Sequence, residues 1–308
     1  MREAWSGAGC HDRGMVADLP FSLPRDPDWA TVERPPPGEV LRAFGAVGEP
    51  VRLAGGKGGT WRAGDVVLKP SEGDDEVRWR AEVLARLGAA EGREAAGHGA
   101  AGAGEAAGFR VARAVRAADG DWVAHGWEAT RFVAGVPDQR RADEVVRTGA
   151  AFHAALAGVA RPSFLDTRAD PWANGERLAW GDAGVRRPSV LLDRLLEVRR
   201  PVVMAEQAVH GDLLGNVLFA EGLAPAVIDW AVYWRPPEWA AAVAVVDAMV
   251  WHGHGFELAL RWDHLAGWGQ MLVRAAVYRL GTWNVVGWVA EPEQAYGPVV
   301  RDIVAYVS

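Results

Sequence analysis

The stretch Val209–Trp230 reads VHGDLLGNVLFAEGLAPAVIDW. Two apolar runs, Val217-Leu218-Phe219 and Ala226-Val227-Ile228, flank a turn at Glu221-Gly222, a pattern that predicts a short β-hairpin. Polar residues stand at the ends that such a hairpin would bring together: His210, Asp212 and Asn216 before the first strand, Asp229 closing the second. Two carboxylates and an amide in a small volume offer hard oxygen ligands of the kind that suit Mg²⁺ beside a phosphate donor. Like charges so placed repel, and burying them without a cation is costly. Asp and Asn are also common turn residues, so a plain strand pair fits the same letters. Against that bland reading, the His-Gly-Asp-Leu run leads straight into an apolar strand and is echoed by an Ile-Asp thirteen residues past Asn216.

The stretch resembles the catalytic motif of the aminoglycoside phosphotransferase and choline kinase superfamily, relatives of the protein kinases. There the pattern is HGDxxxxN followed by IDF or IDW. The resemblance implies an α+β, two-lobed protein-kinase-like fold: a small antiparallel sheet lobe with one helix, then a mainly helical lobe. It also implies roles: Asp212 as catalytic base, Asn216 and Asp229 as holders of Mg²⁺, and His210 as a brace for the loop. One departure stands out. The family has four residues between the Asp and the Asn; this chain has three, Leu213-Leu214-Gly215. Asn216 keeps the family's distance from Asp229, so the shortening bears on where Asp212 stands relative to the metal pair. Gly215 allows the backbone a tighter path.

Upstream, Pro50–Pro70 reads PVRLAGGKGGTWRAGDVVLKP: strand, glycine loop, strand, turn at Ala63-Gly64-Asp65, strand. Gly55, Gly56, Gly58 and Gly59 would let backbone N–H groups approach a phosphate closely; taken alone, a flexible hairpin tip is the commoner meaning of such a run. Lys69 ends the apolar strand Val66-Val67-Leu68. It resembles the strand-three lysine of kinases, which grips the α- and β-phosphates of the nucleotide. Asp74–Leu87 has helical period with Val77, Val83, Leu84 and Leu87 apolar. In the family a glutamate on this helix pairs with the lysine. Glu82, next to the Val83-Leu84 pair, is the first choice and Glu76 its competitor.

Gly88–Gly108 is Ala/Gly/Glu low-complexity sequence, read as a flexible excursion. Phe109–Ala114 and Asp121–Val133 read as two strands joined by a turn at Asp119-Gly120. The connector near Arg131–Ala134 is where backbone groups of kinase-like folds meet the adenine edge. Further on, Ala142–Ala157 and Ser189–Val198 read as helices, His153 as a packed core histidine, and the C-terminal part as helix-rich. Glu238 and Asp247 are candidates to anchor the metal loop. Trp230, Tyr233 and Trp234 are candidates to line an acceptor pocket, although any single tryptophan more often simply packs. The spacing Trp251-His252-Gly253-His254 is poor for zinc.

Composition narrows the field. The chain has 308 residues, half of them hydrophobic, enough for a sizeable core. Its formal charge of −7 argues against a nucleic-acid partner. The single cysteine, Cys10, excludes an internal disulfide and suits a reducing, cytoplasmic compartment. No run approaches the length of a membrane span, and no signal peptide is visible. The expected organisation is a flexible N-terminal extension over 1–37, a lobe over 38–136 carrying the glycine loop and Lys69, and a helical lobe over 137–308 with the catalytic and metal loops. The expected activity is transfer of the γ-phosphoryl group of ATP or GTP to a hydroxyl of a small molecule. The acidic balance and the aromatics lean toward a cationic acceptor. A nucleotide-binding pseudokinase with a regulatory role is the alternative, supported by the shortened loop. Sequence is silent on the acceptor's identity and the oligomeric state.

Overall fold

The structure, a computed structural model, describes residues 34–53, 59–95, 108–286 and 290–308. Most of the expected N-terminal extension therefore lies outside the described residues. The molecule is mixed α+β, with a small antiparallel sheet followed by a helical part. Helix α1 (Gly38–Ala43) precedes β1 (Val51–Arg52), β2 (Trp61–Ala63) and β3 (Val66–Pro70). These strands pair in antiparallel sequence, as the alternation around the glycine loop predicts. Helix α2 (Asp74–Ala95) comes next, outlasting its expected end at Leu87 by running into the Ala/Glu/Arg stretch expected to be an excursion. Those residue types are strong helix formers, which explains the extension; residues 96–107 lie outside the described residues.

Strands β4 (Arg110–Val111), β5 (Val123–Ala124) and β6 (Trp127–Arg131) depart from the expected hairpin. The run 121–133 is itself a hairpin, folding back at His125 and Gly126, whose φ of +52° and +73° suit a tight two-residue turn. The turn at Asp119-Gly120 is present, closed by Gly120 N–H on the Ala117 carbonyl at 2.9 Å. Only part of the 109–114 run reaches this sheet, through a bridge from Ala114 to Thr130; β4 joins a second sheet instead. The first sheet runs β1-β2-β3-β6-β5.

The helical part contains β7 (Val136–Pro137), α3 (Ala142–Ala155), α4 (Pro171–Trp180), α5 (Val190–Val198), β8 (Gln207–His210), β9 (Val217–Ala220), β10 (Leu223–Val227), β11 (Val232–Arg235), α6 (Pro237–Trp251), α7 (Glu257–Leu260), α8 (Trp268–Val286) and α9 (Ala290–Val307). The predicted hairpin is β9–β10: Val217 faces Val227 and Leu218 faces Ala226, with Gly222 at φ +70° in the turn. Strands β4 and β7 flank it, and β8 pairs with β11 in a separate ribbon. Val83 of α2, Phe109, Phe152 and Leu156 at α3, and Trp230 share one apolar cluster that joins the early elements to the hairpin. No described helix is long and apolar enough to cross a membrane.

Helix α6 is apolar on all sides, the signature of a helix at the centre of a core. Its residues from Trp239 to Met249 are buried among α3, α8 and α9. Asp247 is the exception in charge, and it is buried too. An isolated carboxylate there would be very costly. Arg279 of α8 removes that cost, its Nε lying 2.9 and 3.2 Å from the two Asp247 oxygens, with a further contact from one terminal nitrogen. Arg279→Met leaves Asp247 alone in the core and is expected to cost about 3–5 kcal/mol. The double variant Arg279→Met/Asp247→Ala should recover most of that loss in urea titrations; a double variant as unstable as the single one would show that charge pairing is not what matters at this site.

Candidate active site

His210 ends β8, and the ribbon with β11 sets it opposite Val232. The turn that follows needs glycine: a Cβ on Gly211 would lie 2.4 Å from the Tyr233 ring. His210 Nδ1 accepts from the Asp212 N–H at 3.1 Å, so Nε2 carries the proton and donates to the Ile228 carbonyl, also at 3.1 Å. One imidazole thus ties the loop of Asp212 to the residue preceding Asp229, which is the bracing role expected of it. His210 N–H in turn donates to Nε2 of His153 at 3.0 Å. His153 is a buried structural group, packed against Phe152.

The short loop closes through a turn. Asn216 N–H bonds the Leu213 carbonyl at 2.9 Å, and Gly215 takes φ +90°, a conformation that glycine adopts without strain. Asn216 Nδ2 donates to the Asp212 carbonyl at 2.6 Å and to Asp212 Oδ2 at 3.2 Å. The missing residue therefore does not separate Asp212 from Asn216. Ile228 N–H bonds the Asn216 carbonyl at 3.0 Å, so the residue before Asp229 is fixed to the backbone of Asn216.

Asp229 has φ +48°, strained for a residue with a side chain, and its carboxylate is about half exposed at 47%. Lys69 Nζ contacts it directly across 160 residues of sequence. Lys69 above all holds the Asp229 carboxyl well below the usual carboxylate range. Burial works to lower the pKa of Lys69, but Asp229 and Glu128 outweigh it and push the value up to about 12. Both groups are charged at neutral pH. The pair leaves an ammonium and a half-exposed carboxylate side by side, the carboxylate on the residue that follows the Ile228 N–H to Asn216 carbonyl bond. Hard oxygens of one carboxylate and one amide fit Mg²⁺, which takes few protein ligands and completes its shell with water and phosphate. Among the described residues no group of three or more His, Cys, Asp or Glu forms a richer cation site.

Several expected partners stand elsewhere. Glu82 is exposed and paired with Arg86 at 3.8 Å, away from Lys69. The expectation failed because a neighbour of inward residues is itself turned about 100° around a helix; Ala81 and Val83 are buried, and Glu82 points between them to solvent. Glu76 is nearer the site but pairs with Arg80 at 3.8 Å, and burial pushes its carboxyl up. The glutamate that meets Lys69 is Glu128 of β6, at 3.4 Å. Gly55, Gly56 and Gly58 lie outside the described residues; Gly59 is buried where the strand returns, beside the Leu53 N–H to Thr60 carbonyl bond of 2.9 Å. In the connector, Phe132 N–H already bonds the Asp65 carbonyl and the Ala134 carbonyl already accepts from Arg110, at 2.8 and 3.0 Å.

Asp247 does not anchor the metal loop but acts on the other one: Arg279 carries its charge to Asp212, donating to Oδ1 at 2.6 Å. Glu238 lies in the first turn of α6, where a carboxylate suits the helix dipole. Trp230 is core, with Nε1 on the Val209 carbonyl at 3.0 Å and its ring 5.3 Å from both Trp79 and Phe152. Tyr233 and Trp234 line a cavity of about 360 Å³ with Arg168, Glu176 and Arg235, and none of Lys69, Asp212, Asn216 or Asp229 is among its lining residues. Sequence reasoning does not single out Arg279, Arg80 or Glu128. The available signal is a charge set among apolar residues, as in AAVYRLGTW for Arg279.

No family model and no curated protein matches the sequence. Solved structures do match in shape. An aminoglycoside phosphotransferase from Alicyclobacillus acidocaldarius aligns at a TM-score of 0.52 and 17% identity, over 89% of this chain and 95% of that one. A choline/ethanolamine kinase family protein from Mesorhizobium loti aligns at 0.53 and 18%, over 91% and 93%. A spectinomycin phosphotransferase in complex with ADP and spectinomycin aligns at 0.51 and 12%, over 87% and 96%. At such identities the likeness is one of fold. This chain has the protein-kinase-like fold found in aminoglycoside phosphotransferases and choline kinases.

The two hydrogen-bonded histidines, His153 and His210, give the site a pH signature. Burial, with His210 adding to it, pushes His153 down to about 3, and burial also lowers His210. An unfolded histidine takes its proton near pH 6.5, so between that value and about 3 the unfolded chain binds more protons than the folded one. Stability therefore falls as the pH drops below about 6.5. His153→Gln, which keeps an acceptor for the His210 N–H, should lose less stability than the wild type between about pH 7.5 and pH 5 in urea titrations. An unchanged difference between the two pH values would show that His153 is not a buried neutral group.

Proposed function

We propose that the protein is a small-molecule kinase that transfers the γ-phosphoryl group of ATP or GTP to a hydroxyl. The observation that carries this reading is a pair of contacts, Asn216 with Asp212 and Lys69 with Asp229, tied together by the bond from the Ile228 N–H to the Asn216 carbonyl. When bound, Mg²⁺ at Asn216 and Asp229 would neutralise phosphate oxygens of the donor. Lys69, charged and held in place by two carboxylates, supplies a cation for the same phosphates. Asp212 has its backbone N–H on His210 and its carboxylate oriented by Arg279 and Asn216. That arrangement suits a group that aims an acceptor hydroxyl for in-line attack and takes its proton late. Phosphoryl transfer through a loose transition state asks for positioning and charge neutralisation more than for a strong base. The cavity at Tyr233 and Trp234 is lined by four arginines and four carboxylates and by none of Lys69, Asp212, Asn216 or Asp229, so it does not define the acceptor surface.

A second reading keeps nucleotide binding without transfer. It is favoured by one feature: both carboxylate oxygens of Asp212 already have partners, Oδ1 in Arg279 and Oδ2 in Asn216.

The two readings separate on one experiment. A panel of small alcohols and amino alcohols is incubated with the protein, Mg²⁺ and ATP or GTP, and nucleotide consumption is followed. We expect consumption with at least one acceptor, abolished in Asp212→Ala while the thermal shift caused by Mg²⁺–nucleotide is kept. Binding with no consumption across the panel favours the regulatory reading; an active Asp212→Ala refutes the role given to that residue.

A further inference from the structure

Lys69 and Glu128 face each other across β3 and β6, in register. Glu128 is 6% exposed, so its charge needs partners. It has two: Lys69 at 3.4 Å and Arg80 of α2, one terminal nitrogen of which lies 2.7 and 2.5 Å from the two carboxylate oxygens. The other terminal nitrogen of Arg80 donates to the Trp230 carbonyl at 3.3 Å. Trp230 follows Asp229 directly. One guanidinium therefore ties helix α2 to strand β6 and to the segment that presents Asp229. The helix was expected to send a carboxylate to Lys69. Instead it sends a cation, and the carboxylate comes from the neighbouring strand, so the charges are exchanged between the two elements.

Resting on the reading of Lys69 and Asp229 as nucleotide-binding groups, we propose that Arg80 is a positioning residue for the phosphate site. It acts through Glu128 on Lys69 and through the Trp230 carbonyl on Asp229. Lys69 and Arg80 stand against Glu128 and Asp229, with Glu76 a longer contact of Arg80 at 3.8 Å. Arg80 shares the Glu128 charge, so Glu128 holds Lys69 in place without withdrawing it wholly from a phosphate. Removing Arg80 alone leaves Glu128 to Lys69 undivided and releases the Trp230 carbonyl. The geometry asks for a fork, since the two terminal nitrogens serve two different elements. A lysine can reach one of them and keeps the charge but not the second bond.

The test compares wild type, Lys69→Ala, Arg80→Lys and the double variant Arg80→Met/Glu128→Gln, which removes the buried Arg80–Glu128 pair as a unit. Calorimetric titration with ADP, with and without Mg²⁺, reads affinity, and the melting temperature without nucleotide reads folding. Where an acceptor has been found, KM for the nucleotide and kcat are measured separately. The double variant is expected to keep a wild-type melting temperature within a few degrees yet bind Mg²⁺–ADP about ten-fold more weakly, with KM raised accordingly. Arg80→Lys should fall between the two. Affinity within about three-fold of wild type in the double variant overturns the proposal, as does a loss matched by a collapse of the nucleotide-free protein. If wild type binds and Lys69→Ala does not, while both Arg80 variants bind normally, only this inference fails. A wild type that binds no Mg²⁺–ADP removes the kinase reading and this proposal with it.

Discussion

Lys69 is held between two carboxylates from different parts of the chain, Asp229 after β10 and Glu128 in β6. An ammonium so enclosed stays protonated, and its presence keeps the Asp229 carboxylate ionised. This interaction connects the small sheet to the hairpin that carries Asn216. Without it, Lys69 would be a strand-end charge and Asp229 a half-exposed carboxylate at a strained backbone position. With it, the two make a fixed dipole of charges at one place, the form of pre-organisation on which phosphoryl transfer depends.

The helical part supplies the second fixed charge. Asp247 in the core of α6 requires Arg279, and Arg279, once there, reaches Asp212. A core pair thus sets the direction of a side chain on a loop. The same arrangement appears on the sheet side, where Arg80 and Glu128 stand behind Lys69. In both places a buried pair backs a more exposed acting group, so the acting group does not depend on its own local segment for its position.

Much of the site is legible in local sequence because its members lie at the ends of predictable strands. The β9–β10 hairpin follows from apolar alternation around Glu221-Gly222, and its ends have to meet; Lys69 follows from the strand after the glycine run. The backing pairs cannot be read in the same way. Glu128 meets Lys69 through the register of β3 against β6, and periodicity along a single strand gives no access to that register. The choice of Glu82 likewise takes sequence adjacency for a shared helix face. Arg279 is 67 residues from Asp212. Charges set among apolar residues, as at Asp247 and Arg279, are the legible trace of these pairs, but they do not say which charge meets which. The fold-back within 121–133 escapes a sequence reading because its two-residue turn is His125-Gly126, not the Asn-Gly or Asp-Gly pair that signals such a hairpin.

The central claim is that Asn216 and Asp229 present their oxygens to a divalent ion against nucleotide phosphates. The direct measurement is titration calorimetry of ADP into wild type and Asp229→Ala, each with and without Mg²⁺. The account predicts that wild type binds ADP far more tightly with Mg²⁺ and that Asp229→Ala loses this dependence. Equal affinity with and without Mg²⁺ in wild type, or an Mg²⁺ effect untouched by the substitution, would contradict it.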